Sequence, residues 1–249
     1  MRRCGGLIGR RRFCRSFAYG ALLPGVLALG SCVLMLPAAF TTAGDGKSPD
    51  YAVPVSATDG SATQLTDRQR RIVAAAHSVL GRTTLVVRGR SFLYDCTGTI
   101  LAIYYQAGID LLPYFNRVSG NGVMRLYKIG QQSNLLYTTR YPQPGDVIFW
   151  DNTYDMNGDG KWDDPLTHAG VVVDVRPDGT IDYVHQNYAQ GIVIEQMNLL
   201  HPAEYRQVEN GREVVINSPL RMRSDVYMNP GMIFSGQLFR CFAQLYRLR

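Results

Sequence analysis

One cysteine and two histidines have the types and the order needed for covalent catalysis. Cys96 stands in YDCTGTILAIYYQAG (94–108), directly after an aspartate and at the head of an otherwise apolar helical stretch. A thiol there faces unpaired backbone N–H groups and the positive end of the helix dipole, which favour the nucleophilic thiolate. Free cysteine is also among the most buried residue types, so the placement gains meaning only if the chain supplies a base. His168 opens THAGVVVDV after a polar loop, and His185 closes TIDYVHQN. Arg176-Pro177-Asp178-Gly179 reads as the turn between these two β-branched runs. A hairpin about that turn brings both histidines to its open end.

The chemistry these residues suggest is acyl transfer through a thioester. Cys96 is the candidate nucleophile, and His168 is the base and later the acid on the leaving amine. His185 or Asn187 would orient His168, and the Cys96 backbone N–H would stabilise the oxyanion. His77 sits on an expected helix and His201 precedes a proline, so both read as structural or solvated.

A second cluster lies just before His168, in DNTYDMNGDGKWDDPLT (151–167). Asp155, Asn157 and Asp159 at alternate positions, followed by Gly160, fit the first half of a calcium loop, with Asp163 and Asp164 as further carboxylates. No glutamate stands at the twelfth position, where Leu166 is found. The expectation is a modified calcium site, or else a solvated acidic turn.

The elements that must position these groups follow from local signals. Thr66 and Gln69 form a capping box, so a helix is expected from Thr66 to Gly81. TTLVVRG (83–89) reads as extended, and the Cys96 helix ends near Ala107 and Gly108. A shorter helix and loop are expected over 120–138. AGVVVDV, TIDYVHQ, GIVIEQM and EVVINSPL read as strands, and 236–248 as an amphipathic terminal helix. Helices first and an antiparallel sheet afterwards make the fold α+β.

Charge separates the chain into parts. Residues 1–44 hold six arginines, no acid and an apolar run from about Phe17 to Phe40, the pattern of an export signal or membrane anchor. The 26 Lys+Arg of the chain drop to 20 without those six, against 20 Asp+Glu. The rest is therefore neutral, which removes the electrostatic case for nucleic acid. Residues 45–65 read as a flexible linker and 66–249 as the functional domain. Only Cys96 and Cys241 remain in that domain, too few for a disulfide framework, although a single bridge between them is the alternative.

DCTG before an apolar helix, then PQPGDVIFW, then HAGVVVDV resembles the papain-like bacterial cell-wall hydrolases of the CHAP and NlpC families. The resemblance spans roughly 68–198, and DGTIDYVHQN is similar to the CHAP pattern in which Glu-Gln-Asn ends the strand after the histidine. His185 stands where that glutamate would be, and Asn187 matches the asparagine. A histidine as third group is the NlpC habit. The resemblance implies a papain-like α+β fold with helices packed on an antiparallel sheet. It also implies a cysteine amidase or endopeptidase acting on peptidoglycan or its stem peptides; together with the N-terminal segment and the Asp-rich loop, the expectation is an exported monomer that takes calcium and no organic cofactor. Membrane contact would come only through the N-terminal segment. A catalytically silent envelope binding module, and acyl transfer on the same fold, are the alternatives.

Overall fold

In the computed structural model the described residues are 64–249, which belong to one compact unit, Gly46–Arg249. Residues 1–44, read as an export signal or membrane anchor, and residues 45–63 of the expected linker lie outside them.

The helix α1 (Asp67–Ser78) begins as its capping box dictates. Thr66 accepts the Gln69 N–H, and the Gln69 side chain accepts the Thr66 N–H in return at 3.0 Å. The chain then turns through a short hairpin, β1 (Leu85–Val87) and β2 (Arg90–Phe92), into α2 (Cys96–Gln106). Thr97 to Tyr104 of α2 are all buried. Such a helix is stabilised by burial on every side, each large apolar side chain contributing roughly 1.5–3 kcal/mol. A short helix α3 (Leu112–Phe115) leads to α4 (Gly122–Gln132), capped by Asn121.

The chain then builds a six-stranded antiparallel sheet. Its strands are β3 (Leu136–Tyr137), β4 (Val147–Trp150), β5 (His168–Val175), β6 (Thr180–Asn187), β7 (Gly191–Asn198) and, after an outlying hairpin of β8 (Arg206–Glu209) and β9 (Arg212–Val215), β10 (Phe239–Ala243). The spatial order is β3-β10-β4-β5-β6-β7. Alternation along β4 divides the core between the two faces. Val147 and Phe149 pack with α1, α2 and α4, whereas Ile148 and Trp150 pack with Tyr183, Met197, Leu238 and Phe242. Helices cover one face, and the segment after β7 covers the other.

The terminal segment departs from expectation. Residues 239–243 are a strand inserted between β3 and β4, where the sequence pattern suggested a helix. Cys241, Phe242 and Ala243 are all buried. A short run buried on both faces has no periodicity to separate strand from helix. Cys96 and Cys241 are both free thiols, so the alternative single bridge is not formed.

PQPGDVIFW enters the sheet through Gly145, held at φ +94°, with the Tyr104 hydroxyl donating to its carbonyl at 2.7 Å. Asp146 is fully buried and accepts from the Tyr137 hydroxyl and from the Gln143 N–H, the latter at 2.7 Å. Its other oxygen has no partner. Burial raises this carboxyl from 3.8 to about 7, against the opposing effect of its two hydrogen bonds. The folded state therefore holds a proton that the unfolded chain releases. The associated stability is fully present below about pH 4 and is lost as pH rises to about 7, by roughly 4 kcal/mol for this group alone. Urea midpoints measured from pH 4.5 to 7.5 should show that fall, and Asp146→Asn should flatten it.

Candidate active site

Cys96 is the first residue of α2, and Asp95 is its N-cap. The Asp95 carboxylate accepts the Gly98 N–H at 2.6 Å, and its carbonyl accepts the Thr99 N–H at 2.9 Å and hydroxyl at 2.8 Å. The Cys96 N–H, at the very start of the helix, has no intrahelical acceptor. The half-buried thiol lies near the backbone of Ala169, the residue after His168, which favours its anion. This contact sets the nucleophile against the start of β5.

The resting thiol is not activated. Burial, and secondarily the Asp95 charge, push it from 9.0 up to about 11, outweighing hydrogen bonds from Thr97 and Ala169. The direction is opposite to that expected of a helix end, because burial disfavours the anion and the carboxylate that caps the helix adds to that opposition. Asp95→Asn keeps a good cap and removes the charge. It should lower the Cys96 pKa and raise its iodoacetamide rate several-fold at pH 8. An unchanged rate would mean that burial alone sets the thiol.

The two histidines meet as the hairpin demands. His168 Nε2 lies 2.8 Å from His185 Nδ1, with the rings edge-to-face. Trp150 and Tyr183 pack against them. The β5–β6 register continued past Val171–Val184 puts Asn187 opposite His168. His185 is nevertheless the residue that reaches His168, as a diagonal neighbour. Burial and the facing His185 hold the His168 pKa well below its ordinary value, so the ring is a neutral imidazole. Asn187 instead donates to Glu195 at 3.0 Å.

Glu195 was not foreseen. Its Oε2 lies 3.1 Å from His185 Nε2, oblique to the ring N–H. It stands opposite Tyr183 in the β6–β7 register, again one diagonal step from His185. A carboxylate two residues beyond Val193 would have been visible in GIVIEQM only with that register known.

His77 and His201 are exposed, the latter beside Glu204 at 3.3 Å. In the Asp-rich loop, Asp155 accepts the N–H groups of Gly158 and Gly160 at 2.7 and 2.9 Å. Asn157 accepts from Asp159, and Asp159 from Lys161, each at 2.9 Å. Asp164 accepts the Met156 N–H at 3.1 Å, and Asp163 is exposed. Among the described residues, no three His, Cys, Asp or Glu side chains are grouped so as to hold a metal ion. The later chain straps the loop down. Asp225 accepts the Asp155 N–H at 2.9 Å, and Arg221 lies 3.9 Å over the Trp162 ring.

The family model of the CHAP domain matches residues 87–187, from the end of β1 to Asn187. Residues 87–187 are similar to a CHAP domain. CHAP domains are typically amidases or peptidases, which points to a peptidoglycan-related hydrolase with the α+β, papain-like fold described above. The match encloses Cys96, His168, His185 and Asn187 and ends before Glu195. No curated protein matches the chain significantly.

Proposed function

We propose that the CHAP-like domain of this protein is an exported cysteine amidase or endopeptidase that cuts an amide bond of peptidoglycan through Cys96, His168 and His185. The observation that carries this reading is the 2.8 Å contact from His168 Nε2 to His185 Nδ1, with a helix-start thiol near the backbone of Ala169, the residue after His168. With Nε2 engaged, Nδ1 is the nitrogen of His168 left to serve Cys96. It takes the thiol proton as sulfur attacks the amide carbon, because neither group is ionised beforehand. The Cys96 N–H receives the oxyanion. His168 then protonates the leaving amine, and a water deprotonated by the same ring hydrolyses the thioester. Leu93 and Tyr188, 76% and 85% exposed, flank the nucleophile and the end of β6 and offer an apolar surface to substrate.

The raised thiol pKa is what favours the second reading, a silent binding module. Purified peptidoglycan incubated with the parent and with Cys96→Ala separates the two. Fragments released by the parent alone establish the hydrolase and, by mass, name the bond. Binding without fragments from either establishes the module.

The loop 155–164 takes calcium in this reading, held by Asp155, Asn157, Asp159, Asp163 and Asp164. Support comes from the alternating oxygens and from crowding: burial, then the charges of Asp155, Asp163 and Asp159, raise the Asp164 carboxyl. Bound cation would relieve that repulsion. The loop ends four residues before His168, so chelation should lower activity more than it lowers Tm. Equal losses on chelator titration would count against the coupling.

A further inference from the structure

We infer that Glu195 is a positioning residue that fixes where the protons sit on both histidines and thereby leaves His168 Nδ1 unprotonated toward Cys96. The inference rests on the hydrolase reading for its purpose, although the proton positions stand on geometry alone. Every group that meets the Glu195 carboxylate is a donor or can be one. Tyr183 donates its hydroxyl to Oε2 at 3.3 Å, Asn187 donates its amide to Oε1 at 3.0 Å, and His185 Nε2 lies 3.1 Å from Oε2. Two acceptors 3.1 Å apart would repel, so a His185 proton lies on Nε2, facing Glu195 by proximity rather than through an aligned hydrogen bond. Its Nδ1 then presents a lone pair.

Across the 2.8 Å contact one proton lies between the two rings, and it belongs to His168 Nε2. A neutral imidazole carries a single ring proton, so His168 Nδ1 is left as an acceptor. Glu195 thus acts through two rings on a nitrogen it does not touch. When the thiol proton moves to that Nδ1, the imidazolium formed donates to His185 and is stabilised through it by the Glu195 charge. The side chains packed against the pair are Trp150 from β4, Tyr183 from β6 and Glu195 from β7, and of these Glu195 is the acid. His185 is only 1% exposed, which keeps water from entering between the ring and the carboxylate. The substitution of a histidine for the acid of the CHAP motif is therefore completed by an acid on the next strand.

The test uses the purified protein labelled with 15N-histidine, its Glu195→Gln and Glu195→Leu variants, and long-range 1H–15N spectra that tell protonated from bare ring nitrogens. The parent and Glu195→Gln, which keeps an acceptor, should both show His168 and His185 protonated at Nε2. Glu195→Leu should show mixed tautomers. On peptidoglycan, kcat should fall about 10- to 100-fold in Glu195→Leu, the size typical of losing an outer partner of a working imidazole, with little change in KM. Glu195→Gln should recover part of that loss. In both variants the acid limb of kcat/KM should move to lower pH, because the imidazolium has lost its counter-charge. Unchanged tautomers in a folded Glu195→Leu would overturn the inference, as would a parent protonated at His168 Nδ1. If Glu195→Leu does not fold, an unmoved acid limb in Glu195→Gln overturns it. Tautomers as stated without peptidoglycan hydrolysis would uphold the proton placement and remove the hydrolase.

Discussion

His168→Ala is expected to lower peptidoglycan hydrolysis at least about a thousandfold while the protein stays folded. The magnitude follows from the protonation states at rest. Cys96, with its pKa near 11, carries almost no thiolate at neutral pH, so attack depends on removing its proton during the reaction. A base in a nucleophile–base unit is worth several orders of magnitude, and no other described histidine is placed to substitute. His185 is the nearest candidate, but its Nδ1 is turned to His168 and its Nε2 to Glu195. The structural cost is smaller, about 1–3 kcal/mol for a half-buried ring packed on Trp150 and His185. Rates on purified peptidoglycan, paired with thermal melts, check both halves. Activity within tenfold of the parent would place the base elsewhere.

Gly98→Ala should be the most destabilising small substitution near the site, at about 3 kcal/mol or more. A Cβ at Gly98 would lie 1.9 Å from the Leu93 carbonyl oxygen and 2.8 Å from its carbon. Both are backbone atoms, so no rotamer change relieves the clash. Residues 93–95 would have to move off α2, and the Asp95 cap on the Gly98 N–H would go with them, adding about 1 kcal/mol. The glycine of DCTG is thus required by close approach, its backbone conformation being ordinary. Gly122→Ala is the control. Its Cβ meets the side chain of Thr97 at 2.4 Å, which can yield more readily than backbone. Urea midpoints should rank parent, Gly122→Ala and Gly98→Ala in falling order, with Cys96 alkylation disturbed most in the last. A Gly98→Ala loss under 1 kcal/mol would contradict the packing described.

Much of this arrangement was legible because local chemistry and global fold agree. The Thr66–Gln69 box, the Asp95 cap before Cys96 and the Pro-Asp-Gly turn each specify a boundary from a few neighbouring residues. The hairpin argument then put His168 and His185 at one end of the sheet. What sequence alone left open was the partner of His168, since His185 and Asn187 sit two residues apart on one strand. That choice depends on register and on diagonal reach, neither of which is written in either strand by itself. Glu195 was missed for the same reason, one strand further on. The segment 239–243 was misread because an apolar run buried on both faces looks alike as helix or strand. The helix-end effect on the thiol is outweighed by burial, which the sequence does not display, and by the charge of its own cap. In the Asp-rich loop, the alternation does not by itself reveal that Asp155, Asn157 and Asp159 also hold the backbone N–H groups of their own turn.

The measurement that bears most directly on the central claim is the intact mass of the protein after acid quench during peptidoglycan digestion. The account predicts a covalent adduct on Cys96 in the parent, with the mass of the acyl half of the cut bond, and none in Cys96→Ala. Hydrolysis without an adduct on Cys96, or fragments of equal yield from Cys96→Ala, would contradict it.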